Sequence, residues 1–295
     1  MIRILLRKPY RTAVRAAVLL SSLLVLSSTQ VFAAGSVPAS AVRYMNNNNS
    51  VVDAFLSQSA FVGNSISVGL SLYNSRHDNV PLGNAKMLAK ESYSFVNDFK
   101  SNTPYLPKVD GVPMRAKDAI KKSGARYVFI CMGTNDLVGN SGAENATNNL
   151  KKYIAEITEA NPGITIFMES CTPSRPTSNV INSKILEFNS NVKHFCDVSP
   201  NIYYIDIASP MSDPEGYLLA DFASDGSCHL SNTAYASWVE TVRSYISDFI
   251  DINGLTSFSR SPEKQTSGPK IDELVQKIEE MEQKKQILRS LHLSE

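Results

Sequence analysis

Between residues 50 and 252, short apolar runs alternate with stretches of helical spacing, and this alternation constrains the fold most. Ala60-Phe61-Val62 reads as a strand ending at Gly63. Tyr127 to Met132 (YVFICM), Ile164 to Met168 (ITIFM) and Ile202 to Ile207 (IYYIDI) read as buried strands, and Lys86 to Lys90 as a weaker one. Helices are expected at Ser67–Tyr73, Pro113–Ser123, Ala146–Glu159, Val180–His194 and Ser231–Asp251. Strand–helix alternation predicts a parallel sheet covered on both faces, a three-layer α/β/α sandwich. Ligands of such open sheets sit at the carboxyl ends of the strands, so the residues just after each strand are read most closely.

The flanks differ from this body. Residues 1–33 carry Arg3, Arg7, Lys8, Arg11 and Arg15 and no acid. The formal charge of +1 therefore hides a remainder of −4, which argues against nucleic acid as a partner. The apolar run Ala16–Leu26 is shorter than a membrane span and precedes Val31-Phe32-Ala33-Ala34, a cleavage-site pattern. Residues 1–33 thus read as an export signal cut after Ala33 or Ala34, which implies a secreted or cell-surface protein with no stable membrane span once cleaved; an uncleaved membrane anchor is the alternative. Residues 34–50, with Asn46 to Asn49 in a row, read as an N-terminal arm. Residues 253–269, rich in Ser, Gly and Pro, read as a linker. Residues 270–295 read as a charged, solvated helical tail, a candidate for weak self-association.

Three strand-end clusters carry chemical promise. In Gly63-Asn64-Ser65, Gly63 permits a tight turn, and Ser65 lies where strand turns to helix, as a helix cap or as a nucleophile. In Gly133-Thr134-Asn135-Asp136, Gly133 allows close approach and the Asn135 amide can donate to an oxyanion, although the segment also reads as an ordinary turn. In Ser224-Asp225-Gly226-Ser227-Cys228-His229, the histidine combines an acid within one turn with a position next to a helix start, a combination not found at His77, His194 or His292. A histidine oriented by a carboxylate can activate a serine. No repeated Cys-x-x-Cys or His-x-x-x-His spacing suggests a metal.

The order and spacing of these clusters resemble the SGNH hydrolase superfamily, the GDSL esterases and lipases, over about residues 53–250. The resemblance implies a flavodoxin-like sandwich whose parallel sheet has about five strands. It implies Ser65 as nucleophile, His229 as general base and Asp225 as its orienting acid. The oxyanion hole would be the Asn135 amide with the N–H of Ser65 and, at the best positional match, of Ser92. No metal or organic cofactor is implied, and the partner would be a small-molecule or glycan ester. Three departures stand out. Asn64 replaces the usual Asp. Ser92 stands where the family supplies a glycine. Asp225 lies four rather than three positions before His229, so either the extra residue bulges, or a backbone carbonyl orients His229 and Asp225 is structural.

Export would permit disulfides among Cys131, Cys171, Cys196 and Cys228, and a Cys171–Cys228 bridge pinning the histidine loop is the specific expectation. Four reduced thiols are the alternative. For function, a serine esterase acting on short acyl groups, possibly on carbohydrate, leads. An O-acyltransferase on the same site, or a non-catalytic surface carbohydrate-binding module, are the other readings.

Overall fold

In the computed structural model, residues 50–100, 103–253 and 255 are described. The expected signal, nearly all of the arm and linker, and the whole tail lie outside them. The chain divides into residues 1–52 and 53–295, and the fold is that of the second unit. Of the first, residues 50–52 are described, and they are helical.

Five strands form one parallel sheet: β1 (Ser59–Gly63), β2 (Lys86–Ala89), β5 (Tyr127–Cys131), β6 (Thr165–Glu169) and β7 (Ile202–Ile205), in the order β2-β1-β5-β6-β7. The connecting helices are α1 (Ser65–Arg76), the short α2 (Phe95–Asp98), α3 (Ala116–Ser123), α4 (Ala143–Ala160), α5 (Asn182–Asp197) and α6 (Asn232–Ile252). The expected three-layer architecture is therefore present.

Register explains why the central strands bury both faces. Phe61, Phe129, Phe167 and Tyr203 align across β1, β5, β6 and β7 and point to one face. Their rings stack in sequence, with centroids 4.6, 4.7 and 5.5 Å apart. Such pairs contribute about 0.5–1.5 kcal/mol each beyond area burial. Phe249 of α6 packs edge-on against Phe167 and Tyr203 and covers this face. The alternate residues, including Val62, Ile130, Ile166 and Met168, face a second core with Leu150, Ile154 and Ile157 of α4 and Ile185 and Phe188 of α5.

The helix expected from Pro113 starts at Ala116 instead. Val112–Pro113 form β4, an antiparallel hairpin with β3 (Lys108–Val109). Asp110 and Gly111 make the turn at φ 51° and 79°, the positive pair that an Asp-Gly hairpin requires. Helix α1 begins at Ser65 rather than Ser67 because Asn64 caps it, accepting the Ile66 N–H on Oδ1 at 2.9 Å.

Candidate active site

The sheet order reverses between β1 and β5, which makes their carboxyl ends the expected ligand crevice. In register, Gly63 of β1 pairs with Ala89 of β2 on one side and Cys131 of β5 on the other. Ser65, Ser92 and Asn135 follow these three strand ends.

Ser65 is the first residue of α1, whose leading N–H groups lack intrahelical acceptors and favour negative charge. Asn64 is buried and serves as an acceptor-only cap, a role that needs no carboxylate. Gly63 is not at positive φ, so the expected tight turn is not its reason. A Cβ there would lie 1.9 Å from Ser67 Oγ and 2.7 Å from the Cys131 carbonyl, so glycine lets α1 pack close to β5. Gly69 likewise makes room for Tyr235, whose hydroxyl donates to the Ile66 carbonyl at 3.0 Å and ties α6 to α1.

His229 enters from the loop before α6. Its Nε2 lies 3.3 Å from Ser65 Oγ, and its Nδ1 lies 2.6 Å from Asp225 Oδ2. The other oxygen, Asp225 Oδ1, accepts three backbone N–H groups, from Ser227 (2.8 Å), Cys228 (3.0 Å) and His229 (3.2 Å). The loop wraps around the carboxylate, with Gly226 at φ 68° absorbing the extra residue. Burial works to raise the Asp225 carboxyl, but the bonds from His229 and the backbone outweigh it and hold it below its ordinary range. Of the two orienting groups open in the sequence, the structure places the Asp225 carboxylate on Nδ1.

The expected Cys171–Cys228 bridge is absent: all four cysteines are free. Cys171 is buried with its thiol donating to the Met132 carbonyl at 3.3 Å, and burial pushes it up to about 12. Hydrogen bonds pin the histidine loop instead. The Arg175 N–H donates to the Ser227 carbonyl at 2.8 Å, and the Thr177 hydroxyl donates to the Gly226 carbonyl. Gly133 (φ 133°) was expected to admit substrate, but a Cβ there would meet Phe188 at 2.4 Å and Cys171 Sγ at 3.1 Å, so its close approach is to the core.

Asn135 donates its Nδ2 to the Tyr93 carbonyl at 2.9 Å, which leaves the second amide hydrogen for a ligand. Ser92 sits at φ 59°, a conformation that favours glycine, which accounts for the glycine of the family pattern at this point. Two residues were not singled out by the sequence. Asp136 accepts the Phe95 and Val96 N–H groups, and Glu169 is fully buried beside Trp238 Nε1 at 2.8 Å. Neither contact leaves a local signal, since the partners lie 40 or more residues apart.

Among the described residues, one group of three metal-capable side chains converges, Asp225, Cys228 and His229, with donor atoms within 4.8 Å of one another. An ion on Nδ1 would have to displace the proton shared with Asp225, so the arrangement suits an imidazole held for proton transfer. Chemically, Nε2 can accept a hydroxyl proton from Ser65 while the Asp225 carboxylate stabilises the resulting imidazolium.

The sequence pattern of the GDSL-like lipase/acylhydrolase family matches residues 61–237, more than half of the chain. The chain belongs to that family. This GDSL-type protein is accordingly a serine hydrolase acting on ester bonds. Among solved structures it is similar to one assigned as an acylhydrolase from Bacteroides fragilis, with TM-score 0.51, 17% identity, and coverage of 65% of this chain and 87% of that one. It is also similar to a GDSL-like lipase from Bacteroides thetaiotaomicron, with TM-score 0.50, 16% identity and coverage of 70% and 97%. At these identities the likeness bears on the fold. No curated protein matches the chain.

Proposed function

We propose that this GDSL-type hydrolase is an exported esterase that uses Ser65, His229 and Asp225 as a catalytic triad. The observation that carries the proposal is the continuous path from Ser65 Oγ to His229 Nε2 at 3.3 Å and from Nδ1 to Asp225 Oδ2 at 2.6 Å. Ser65 Oγ attacks the ester carbonyl while His229 takes its proton. The tetrahedral oxyanion accepts hydrogen bonds from the Asn135 amide and the N–H groups of Ser65 and Ser92. Collapse expels the alcohol, which takes the proton from His229 and leaves an acyl group on Ser65. A water deprotonated by His229 then releases the acid and restores the serine.

Substrates are short acyl groups on a soluble alcohol such as a glycan. Supporting this, the His229 and Asp225 side chains are 48% and 37% exposed, and the polar Ser224 and Ser227 of their loop and Thr177, which donates to the Gly226 carbonyl, lie close by. Export rests on the basic and apolar sequence of residues 1–33. The same exposure admits a sugar hydroxyl in place of water, which would make the protein an O-acyltransferase. Product analysis with a sugar acceptor present separates the two outcomes.

The test of the site is Ser65→Ala on a short-chain aryl ester. Turnover should fall by about 10³-fold or more. Wild-type turnover by the variant would remove Ser65 from the mechanism.

A further inference from the structure

Two consecutive side chains of the turn after β5 grip the segment that follows β2. Asn135 Nδ2 donates to the Tyr93 carbonyl at 2.9 Å. Asp136 accepts the Phe95 N–H on Oδ2 at 3.2 Å and the Val96 N–H on Oδ1 at 3.3 Å. Ser92 lies immediately before this gripped segment. Tyr93 is anchored in turn, its hydroxyl donating to the buried Asp98 at 2.5 Å.

A buried carboxylate is a costly way to make two hydrogen bonds. Asp136 is 7% exposed, and burial pushes its carboxyl up to about 6 against the opposing backbone hydrogen bonds. Ser94 Oγ accepts the Asn97 N–H at 3.1 Å, and Asp136, from a different loop, takes the two first-turn N–H groups that this cap leaves open. A carboxylate is the side chain that can accept two adjacent N–H groups on two oxygens. An asparagine there would turn its NH2 against one of them.

We propose that Asp136 is a positioning residue of the oxyanion hole: its carboxylate fixes the Phe95–Val96 backbone so that the Ser92 turn and the Asn135 amide, which follow the ends of β2 and β5 on either side of β1, are held at one separation. This rests on the reading of Asn135 and Ser92 as oxyanion donors. Asp136 touches no reacting atom. It acts through the register between two loops, and a displacement of about an ångström between preorganised donors costs catalysis heavily.

The experiment is a double-mutant cycle on the full chain, with kcat and KM for a short-chain aryl ester and a thermal melt for each protein. Asn135→Ala should lower kcat by about 100-fold. Asp136→Asn should lower kcat by about 10-fold or more, with KM within about threefold. In the double variant kcat should fall no more than about threefold below that of Asn135→Ala, because both changes act on one device. Ser94→Ala removes the other cap of α2, and should lower the melting temperature but leave kcat within about twofold. Should Asp136→Asn fail to fold, Asp136→Glu keeps the charge and moves the oxygens, and its kcat should fall likewise. Wild-type kcat in a folded Asp136 variant, multiplicative effects in the cycle, or an equal kcat loss in Ser94→Ala would each overturn the positioning role. An Asn135→Ala enzyme of normal kcat would instead remove the oxyanion reading, and this proposal with it.

Discussion

Asp225 and His229 stand four positions apart and share a 2.6 Å hydrogen bond, because the intervening chain folds around the carboxylate rather than past it. One oxygen organises the loop and the other faces the imidazole, so a single side chain fixes the position and the tautomer of His229. Asp225→Asn separates these duties. The amide oxygen can still accept the three backbone N–H groups, while its NH2 faces Nδ1 and favours the wrong tautomer. We expect kcat to fall by about 10³-fold with a melting temperature near that of the wild type. A loss of activity in step with a loss of folding would assign Asp225 to the loop alone.

Gly63→Ala tests the approach of α1 to β5. The added Cβ would sit 1.9 Å from Ser67 Oγ, which can rotate, and 2.7 Å from the Cys131 carbonyl, which is fixed in the sheet. We expect a loss of about 2–3 kcal/mol by denaturant unfolding, and lower activity because Ser65 is two residues away. Ser67 Oγ is buried without a hydrogen-bond partner among the described residues, so Ser67→Ala alone should stabilise by about 1 kcal/mol. A neutral Gly63→Ala would show that the carboxyl ends of β1 and β5 yield easily.

Glu169 makes stability depend on pH. Burial raises its carboxyl from 4.5 to about 8, against the bond from Trp238. The folded protein therefore keeps a proton that the unfolded chain releases above pH 4.5. The stability contributed by this proton is complete below that value and is lost as pH rises through about 8. The slope is at most about 1.4 kcal/mol per pH unit in this window. Glu169→Gln should flatten the decline and give the more stable protein at pH 9. Parallel stability–pH curves for the two proteins would refute the assignment.

Cysteine accounting distinguishes hydrogen bonding from a bridge. The denatured, unreduced protein should take up four alkyl groups by mass, one at each free thiol of the described domain. Uptake of two would restore the bridged alternative.

Much of the fold was legible because it is local. YVFICM, ITIFM and the Ile202 run are continuous apolar segments, and they became β5, β6 and β7 within about two residues. The later start of α3 was missed, because the helical pattern of residues 113–123 masks the hairpin signal of Asp110-Gly111. At the site, Ser65, Asn135, Asp225 and His229 were readable as residues at element ends. The reasons for Gly63 and Gly133 were not, because their neighbours Cys131 and Phe188 come from distant parts of the chain. Asp136 looked like part of a turn for the same reason: its partners are fixed by strand order, which no local spacing records.

The hydrogen bond from Tyr235 to the Ile66 carbonyl has a temporal meaning. It joins residues 169 positions apart, and the Ser65–His229 pair spans 164. A chain synthesised from its N-terminus therefore displays the proposed nucleophile long before its base exists. With the proposed triad, chemical competence arrives only with the loop before the last helix of the domain, so a chain ending before His229 would be inert toward esters.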